Sequence, residues 1–440
     1  MPLEKMKRIF CEEAKVQRWL TVEAALAKVE ASLGVIPKDA ADEIASKAKV
    51  ELIDEEERQR EIKRTQHYLV ATLRCLQRLC RGNTGEYVHW GPTTQDILDT
   101  ADALAVKEAH NVIFQAVREI EANLLEIADR EADTVMAGRT HGQHAVPLTL
   151  GFKVAVWIRE IRRHIQRLKE SRERLFVGQL NGAVGSYASF GDKGPLIEKL
   201  TMKELGLKAP DISWQAARDR SAEFAWLVGM VASTVGKIAN EFSDLGRTEL
   251  AEWEEAVTGD KIASSTMPGK LHLLSWENSL TLAKRLKYYT PLALEGMIVE
   301  HERGGAGWYL ARDSLAEMCL LMGDLLTRMI ANTKNVKVNR QRMVSNMELS
   351  KGLLFSEAVM LELGRSIGKQ TAHKVTADLA KKALEQGITL KEALLASPIA
   401  SEHLTPRQID DLFDPYRQVK VCSKITRDMV AITLKEREKD

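Results

Sequence analysis

Excess charge is what this sequence lacks most: 63 Lys and Arg stand against 62 Asp and Glu, so 440 residues carry a formal net charge of +1. Such a balance excludes binding of nucleic acid by general phosphate neutralisation. The five cysteines, Cys11, Cys75, Cys80, Cys319 and Cys422, are scattered without a CxxC pair or zinc-site spacing, as expected of reduced thiols. Aromatic residues are only 5%, with 11 Pro and 27 Gly in the whole chain, which argues against an all-β fold. No run approaches the ~20 apolar residues of a membrane span, so no membrane partner is expected. The first residues, MPLEKMKRIFCEEAKVQRW, are charged throughout and lack the apolar stretch of a secretory signal. These absences lead to the expectation of a cytoplasmic protein.

What is present is 45% apolar and 28% charged residues, rich in Ala, Leu, Glu, Lys and Arg, the composition of long helices. Apolar residues recur at helical spacing from Cys11 to Leu33 and from Glu55 to Arg81. Three stretches of about thirty residues follow, Gln95–Glu131, Leu148–Phe176 and Arg220–Leu250, far longer than the usual helix of ~11 residues. Further helices are expected over Leu271–Val299 and Trp308–Ala331, with little strand signal between them. Long helices of this kind form bundles, within a subunit or between subunits. The expected organisation is an N-terminal helical domain over 1–94, a central long-helix bundle over 95–350 and a C-terminal helical domain over 351–440.

Three polar, Gly-containing loops interrupt the helices, and chemistry concentrates in such loops. In Gly91-Pro92-Thr93-Thr94-Gln95-Asp96, Thr94 either simply caps the next helix or joins Thr93 and Gln95 in holding an anion there. In Gly138-Arg139-Thr140-His141-Gly142-Gln143-His144, the two histidines are either a general acid and its neighbour or ordinary surface and packing residues. Metal is discounted because no partnering Cys or HExxH arrangement accompanies them. The third loop, Gly259 to Lys270, carries Ser264, Ser265 and Thr266, then Met267-Pro268-Gly269-Lys270. Its hydroxyl, amide and ammonium groups either converge on a carboxylate or belong to a loop of small polar residues.

The segment SSTMPGK, Ser264 to Lys270, resembles the signature loop of the fumarase/aspartase superfamily. GPTTQD and GRTHGQHAVPLTLG resemble the superfamily's other two active-site regions, in the same order. The likeness extends from EEAKVQRWLTVEAAL to GLLFSEAVMLELGRSIGKQTAH, and it looks closest to the branch of adenylosuccinate lyase and 3-carboxy-cis,cis-muconate cycloisomerase. The fold it implies is all-α, a long-helix bundle of the fumarase/aspartase type with smaller helical N- and C-terminal domains. The assembly implied is a homotetramer whose active sites draw their three loops from three chains, with no cofactor and no metal.

The resemblance implies elimination of an amine from an N-succinyl substrate to release fumarate, with adenylosuccinate as the default substrate. Ser264 matches the general base, Lys270 the cation that favours the dianionic intermediate, His141 the general acid and Glu277 the carboxylate that orients it. Thr93 and Thr94 match positions that bind the second carboxylate, with Gln95, Thr140, His144, Gln215, Ser265 and Met267 around them. His67 matches a histidine that assists at the leaving group. His272 stands where the signature has Asn. After His301-Glu302-Arg303 the chain reads GGAGWYLAR, keeping Arg303 and Arg312 as basic candidates but placing Trp308 and Tyr309 where the branch has phosphate-binding serines. Ser213-Trp214-Gln215 before Arg218-Asp219-Arg220 looks more like the cycloisomerase form. The alternative implied is therefore a cycloisomerase or elimination enzyme acting on a non-nucleotide polycarboxylate.

Overall fold

The structure is a computed structural model, and it describes residues 1–255, 266–267 and 273–440. Helices carry most of the described chain, and their starts follow local chemistry. In the helix Glu12–Ser32, buried residues from Val16 to Glu30, including Trp19, Leu20, Val22, Ala25, Leu26 and Val29, go round most of the helix, so it is a core helix. The stretch expected as one helix over Glu55–Arg81 is two. Gln66 takes a left-handed conformation, φ 54°, at the end of Glu55–Thr65, and extended His67 then starts Tyr68–Leu79. The apolar stripe of Leu69, Leu73 and Leu76 belongs entirely to the second piece, which is why periodicity alone concealed the break.

The long helices are Thr94–Arg130, Leu150–Leu175, Asp219–Leu245 and Gly305–Lys334, of 37, 26, 27 and 30 residues. At ~1.5 Å per residue the first is roughly 55 Å long. Thr149 caps the second, its hydroxyl accepting from the Phe152 amide at 3.1 Å. The pattern expected over Leu271–Val299 resolves into Leu274–Leu286 and Tyr289–Glu295, with residues 271–272 outside the described part. Asp219–Leu245 is long and apolar enough to cross a membrane, with a mean hydropathy of 1.2 over its most apolar window, but 72% of that window is buried inside the protein.

The little strand expected is there, and part of it forms at the second loop. Residues Val135–Thr140 (β1) and Gln143–Thr149 (β2) form an antiparallel hairpin, with Arg139 opposite His144 and Thr140 opposite Gln143. Its two-residue turn, His141 at φ 52° and Gly142 at φ 76°, has positive φ at both positions, the type I′ geometry that matches strand twist. A second small sheet pairs Trp253–Glu255 (β3) with Val336–Val338 (β4). The register of the hairpin shifts between Ala137 and Arg139. Gly138 sits at that shift, where a Cβ would stand 2.6 Å from the Val146 carbonyl oxygen, so any larger residue would force the strands apart.

The chain divides into two compact units whose boundaries fall within long helices. One comprises Met1–Val117, His164–Gly236 and Thr281–Thr327. Its core gathers Trp19, Leu20, Leu26, Ile44, Leu69, Leu76, Ile97, Leu180, Ile197 and Met202. The other comprises Arg118–Arg163, Lys237–Leu280 and Arg328–Asp440. There Phe242 stacks on Trp276 with ring centroids 4.5 Å apart, and Trp253 meets both rings edge-on. A separate apolar cluster in this unit, with Val359, Leu363, Leu379, Leu390, Leu394 and Ile409, holds the C-terminal helices together.

Candidate functional site

In the first unit the Gly91–Asp96 loop enters the 37-residue helix. The cap differs from the one expected. Thr93 precedes the helix, and its backbone N–H donates to Asp96 Oδ2 at 3.0 Å, so Thr94 is the first helical residue and its hydroxyl is not the cap. Asp96 is fully buried and also accepts from the Gly182 amide at 2.8 Å and from Gln215 Nε2 at 3.0 Å. Burial pushes its carboxyl up to about 6, against the opposing pull of these hydrogen bonds. The pattern Thr-x-x-Asp before an apolar run was present in the sequence and would have identified this cap.

Around the two threonines stand His67 and Arg303. His67 Nε2 lies 3.4 Å from Thr94 Oγ1, and the Arg303 guanidinium donates to Thr93 Oγ1 at 2.8 Å. Arg303 is exposed, while His67, Thr93 and Thr94 are half-buried. These four sequence-predicted residues are therefore brought together, and the helix N-terminus beneath them adds first-turn N–H groups with no intrahelical carbonyl to bond. That combination suits a carboxylate.

Gln95 and Gln215, by contrast, are buried, and their amide nitrogens are committed to internal bonds. Gln95 Nε2 donates to Asp99 Oδ2 at 3.0 Å and to the Gln215 carbonyl at 3.1 Å, while Gln215 Nε2 donates to the Gly182 carbonyl at 2.7 Å. Their task in this unit is to fix the loop. The centre of the network is Asp99, which no sequence argument singled out. It accepts from Gln179 Nε2 at 2.9 Å, from Arg218 at 2.8 and 3.2 Å, and from Trp308 Nε1 at 2.9 Å. One turn further on, Asp102 accepts from Arg312 Nε at 2.7 Å, and the Arg312 guanidinium lies 5.0 Å from the Trp308 ring centroid. Burial works against the charge of Arg312, but Asp102 and Asp99 outweigh it and hold the side chain protonated. A partly open cavity lies among Asp99, Asp102, Arg218, Arg220 and Arg312 and measures ≈ 50 Å³.

In the second unit the hairpin places His141 at its exposed tip, with Thr140 beside it. Half-buried His144 lies opposite Arg139 on the partner strand. Burial and the charge of Arg139 lower its proton affinity, with Glu252 opposing them. The base of the tip is clamped: Arg139 donates to Glu252 at 3.1 and 2.5 Å, and Asn346 Nδ2 donates to the same carboxylate at 3.0 Å. Glu252 is fully buried and immediately precedes β3, where the chain leads towards the signature segment. Glu277 is exposed in the first turn of Leu274–Leu286, and Met267 is exposed as well. Ser264, Ser265, Lys270 and His272, together with the glycines that flank the loop, lie outside the described residues. Among the described residues no group of three or more His, Cys, Asp or Glu has the arrangement of a metal site.

Comparison with known proteins bears on this arrangement. The family described as Lyase matches residues 1–285, and that described as Adenylosuccinate lyase C-terminus matches residues 352–429. The N-acetyl-S-(2-succino)cysteine lyase of Dickeya dadantii is 42% identical over 415 residues, covering 94% of this chain and 91% of the relative. The adenylosuccinate lyase of Methanocaldococcus jannaschii is 39% identical over 438 residues, covering 99% and 94%. Among solved structures, the 3-carboxy-cis,cis-muconate lactonizing enzyme from Pseudomonas putida superposes with a TM-score of 0.90 at 30% identity, covering 97% of this chain and 96% of that one.

Proposed function

The chain belongs to the fumarase/aspartase superfamily of lyases, and from that premise we propose that it releases fumarate from a small succinyl-substituted compound by β-elimination. Ser264 removes the proton from the carbon beside a carboxylate, and Lys270 favours the dianion that results. The electron pair then forms the fumarate double bond as the carbon–heteroatom bond breaks, and the departing heteroatom takes a proton from His141, oriented by Glu277. Thr93, Thr94 and Arg303 supply donors suited to the second carboxylate, with His67 beside Thr94. In this reading the enzyme works in the cytoplasm as a homotetramer with sites shared between subunits, a setting with which its five free thiols agree.

One observation favours a leaving group other than a nucleotide. Arg312, one of the two basic residues expected to meet a nucleotide phosphate, is paired with Asp102 and stacked on Trp308, which leaves less of its charge for a phosphate. An S-succinyl or N-succinyl amino acid derivative fits this better than adenylosuccinate, and N-acetyl-S-(2-succino)cysteine, the compound in the name of a 42% identical relative, is the first substrate to try. Cleavage of its carbon–sulfur bond sends the electron pair to sulfur, giving fumarate and N-acetylcysteine. Mass spectrometry of purified protein incubated separately with this compound and with adenylosuccinate tests the choice. Fumarate from the thioether supports it; fumarate and AMP from adenylosuccinate alone would overturn it in favour of the carbon–nitrogen reading. Ser264→Ala should abolish release from either substrate while the assembly persists, and an unchanged rate would remove Ser264 as the base.

A further inference from the structure

Hydrogen-bond direction at the Thr93–Thr94 turn can be followed atom by atom. His67 precedes the helix Tyr68–Leu79, and its Nδ1 accepts from the Val70 backbone N–H at 3.2 Å. A backbone N–H is always a donor, so Nδ1 carries no proton while this cap is in place. The ring proton therefore sits on Nε2, which faces Thr94 Oγ1 at 3.4 Å. Thr94 Oγ1 consequently accepts, and its own O–H proton is released to point elsewhere. Arg303 has the same effect on the neighbouring residue, because a guanidinium only donates: Thr93 Oγ1 accepts at 2.8 Å and its proton is also free.

Resting on the lyase reading, we propose that His67 is a positioning residue: locked as the neutral Nε2–H tautomer by its capping bond to Val70, it turns the Thr94 hydroxyl so that its proton is offered to a substrate carboxylate. His67 then transfers no proton during turnover. Protonating Nδ1 would set two donors face to face at the start of the Tyr68–Leu79 helix, so the cap itself opposes an imidazolium. The two threonine hydroxyls, each receiving one bond from a neighbour that can only donate, form a matched pair of donors, with the Arg303 charge and the helix N-terminus behind them. The arrangement is preorganised, since among the described residues neither hydroxyl donates to a competing acceptor from which it would have to rotate when the anion arrives.

Two substitutions separate the parts of this device. Asn at position 67 imitates Nδ1 and keeps the cap but is too short to reach Thr94; Gln imitates Nε2 and keeps the donor but loses the cap. Thr94→Val removes the hydroxyl at nearly constant shape. Dicarboxylate affinity, measured by calorimetry with fumarate, and kcat/KM for fumarate release are the readouts. We expect H67N and T94V each to weaken fumarate binding roughly tenfold or more, the scale of one hydrogen bond to a charged group. H67N/T94V should be no weaker than T94V alone, because His67 acts through the hydroxyl that T94V has removed. H67Q should bind fumarate nearly as the parent does, with a lower Tm, and the pH profile of kcat/KM should keep both limbs in H67Q. Multiplying losses in the double variant, or a limb that disappears in H67Q, would overturn the proposal by showing that His67 meets substrate itself or exchanges a proton. A parent protein that releases no fumarate but still binds it, with the non-multiplying pattern intact, would sink the elimination reading and leave the positioning role standing. Failure to bind fumarate at all would remove both.

Discussion

Replacing Glu252 by Gln removes the one carboxylate among the described residues that is bonded to Arg139, and the consequence can be worked from the contacts. Oε1 receives Arg139 and Asn346, at 2.5 and 3.0 Å, and Oε2 receives Arg139 at 3.1 Å. Whichever way a glutamine amide turns, its NH2 faces a donor, and a largely buried guanidinium is left without its counter-charge. Glu252 is fully buried and the Arg139 side chain is 16% exposed, so solvent does little to compensate. Breaking one side of such a pair costs about 3–5 kcal/mol. The cost falls on the hairpin, since Arg139 stands two residues before His141. Amide hydrogen exchange over residues 135–149 is the direct assay: protection should fall by roughly a hundredfold or more, at 1.4 kcal/mol per factor of ten. Fumarate release should fall with it as the tip bearing His141 loses its fixed position. The double variant Arg139→Met/Glu252→Leu removes both charges, while Asn346 keeps its bond to the Leu250 carbonyl at 2.8 Å. It should recover most of the hairpin protection that Glu252→Gln loses. Unchanged exchange in Glu252→Gln, or a double variant less protected than the single one, would refute the clamp.

Three more predictions concern separate parts of the molecule. Burial, with the nearby Glu23, pushes the Glu30 carboxyl up to about 8 from 4.5, so the folded chain holds a proton that the unfolded chain has already released. Stability is therefore highest below pH 4.5 for this group and is lost as pH rises towards 8, by up to about 5 kcal/mol in all. Thermal melting of Glu30→Gln should be less dependent on pH than that of the parent between pH 5 and 8.5, and parallel curves would exclude the linkage. Gly142→Ala meets no neighbouring atom, yet it must adopt φ 76°, so it should destabilise the hairpin turn by about 1 kcal/mol, read as faster exchange at residues 140–143 without loss elsewhere. Trp308→Phe keeps the ring but deletes the bond to Asp99, and should cost about 1–2 kcal/mol in thermal or denaturant melting, whereas no change would show that the Asp99 network does not need it.

Much of the architecture was legible because it rests on local repetition. The long helices near Thr94–Arg130, Leu150–Leu175, Asp219–Leu245 and Gly305–Lys334 follow from apolar spacing sustained over many turns, and the motif resemblance supplied the family that the comparisons bear out. The hairpin was missed although its short strands flank a His-Gly pair, a turn signal that the surrounding helical periodicity overwhelmed. The break at Gln66 and His67 left no trace in the pattern either, because a single left-handed residue ends a helix without altering composition.

The sequence by itself determined the mainly helical class, the order of the polar loops and the residue types available for acid, base and carboxylate chemistry. Tertiary structure alone decided how those residues are employed. Gln95 and Gln215 look like ligands in the sequence but spend their amides on Asp99, Asp96 and neighbouring carbonyls, and Arg312 spends its charge on Asp102. Asp99 and Glu252, unremarked among 62 acidic residues, become the points on which the loop and the hairpin are fixed. The reason is physical: a side chain's charge and hydrogen-bonding capacity are written in its residue type, but the partner that consumes them can lie tens to hundreds of residues away and is chosen only on folding, when burial makes an unpaired polar group costly.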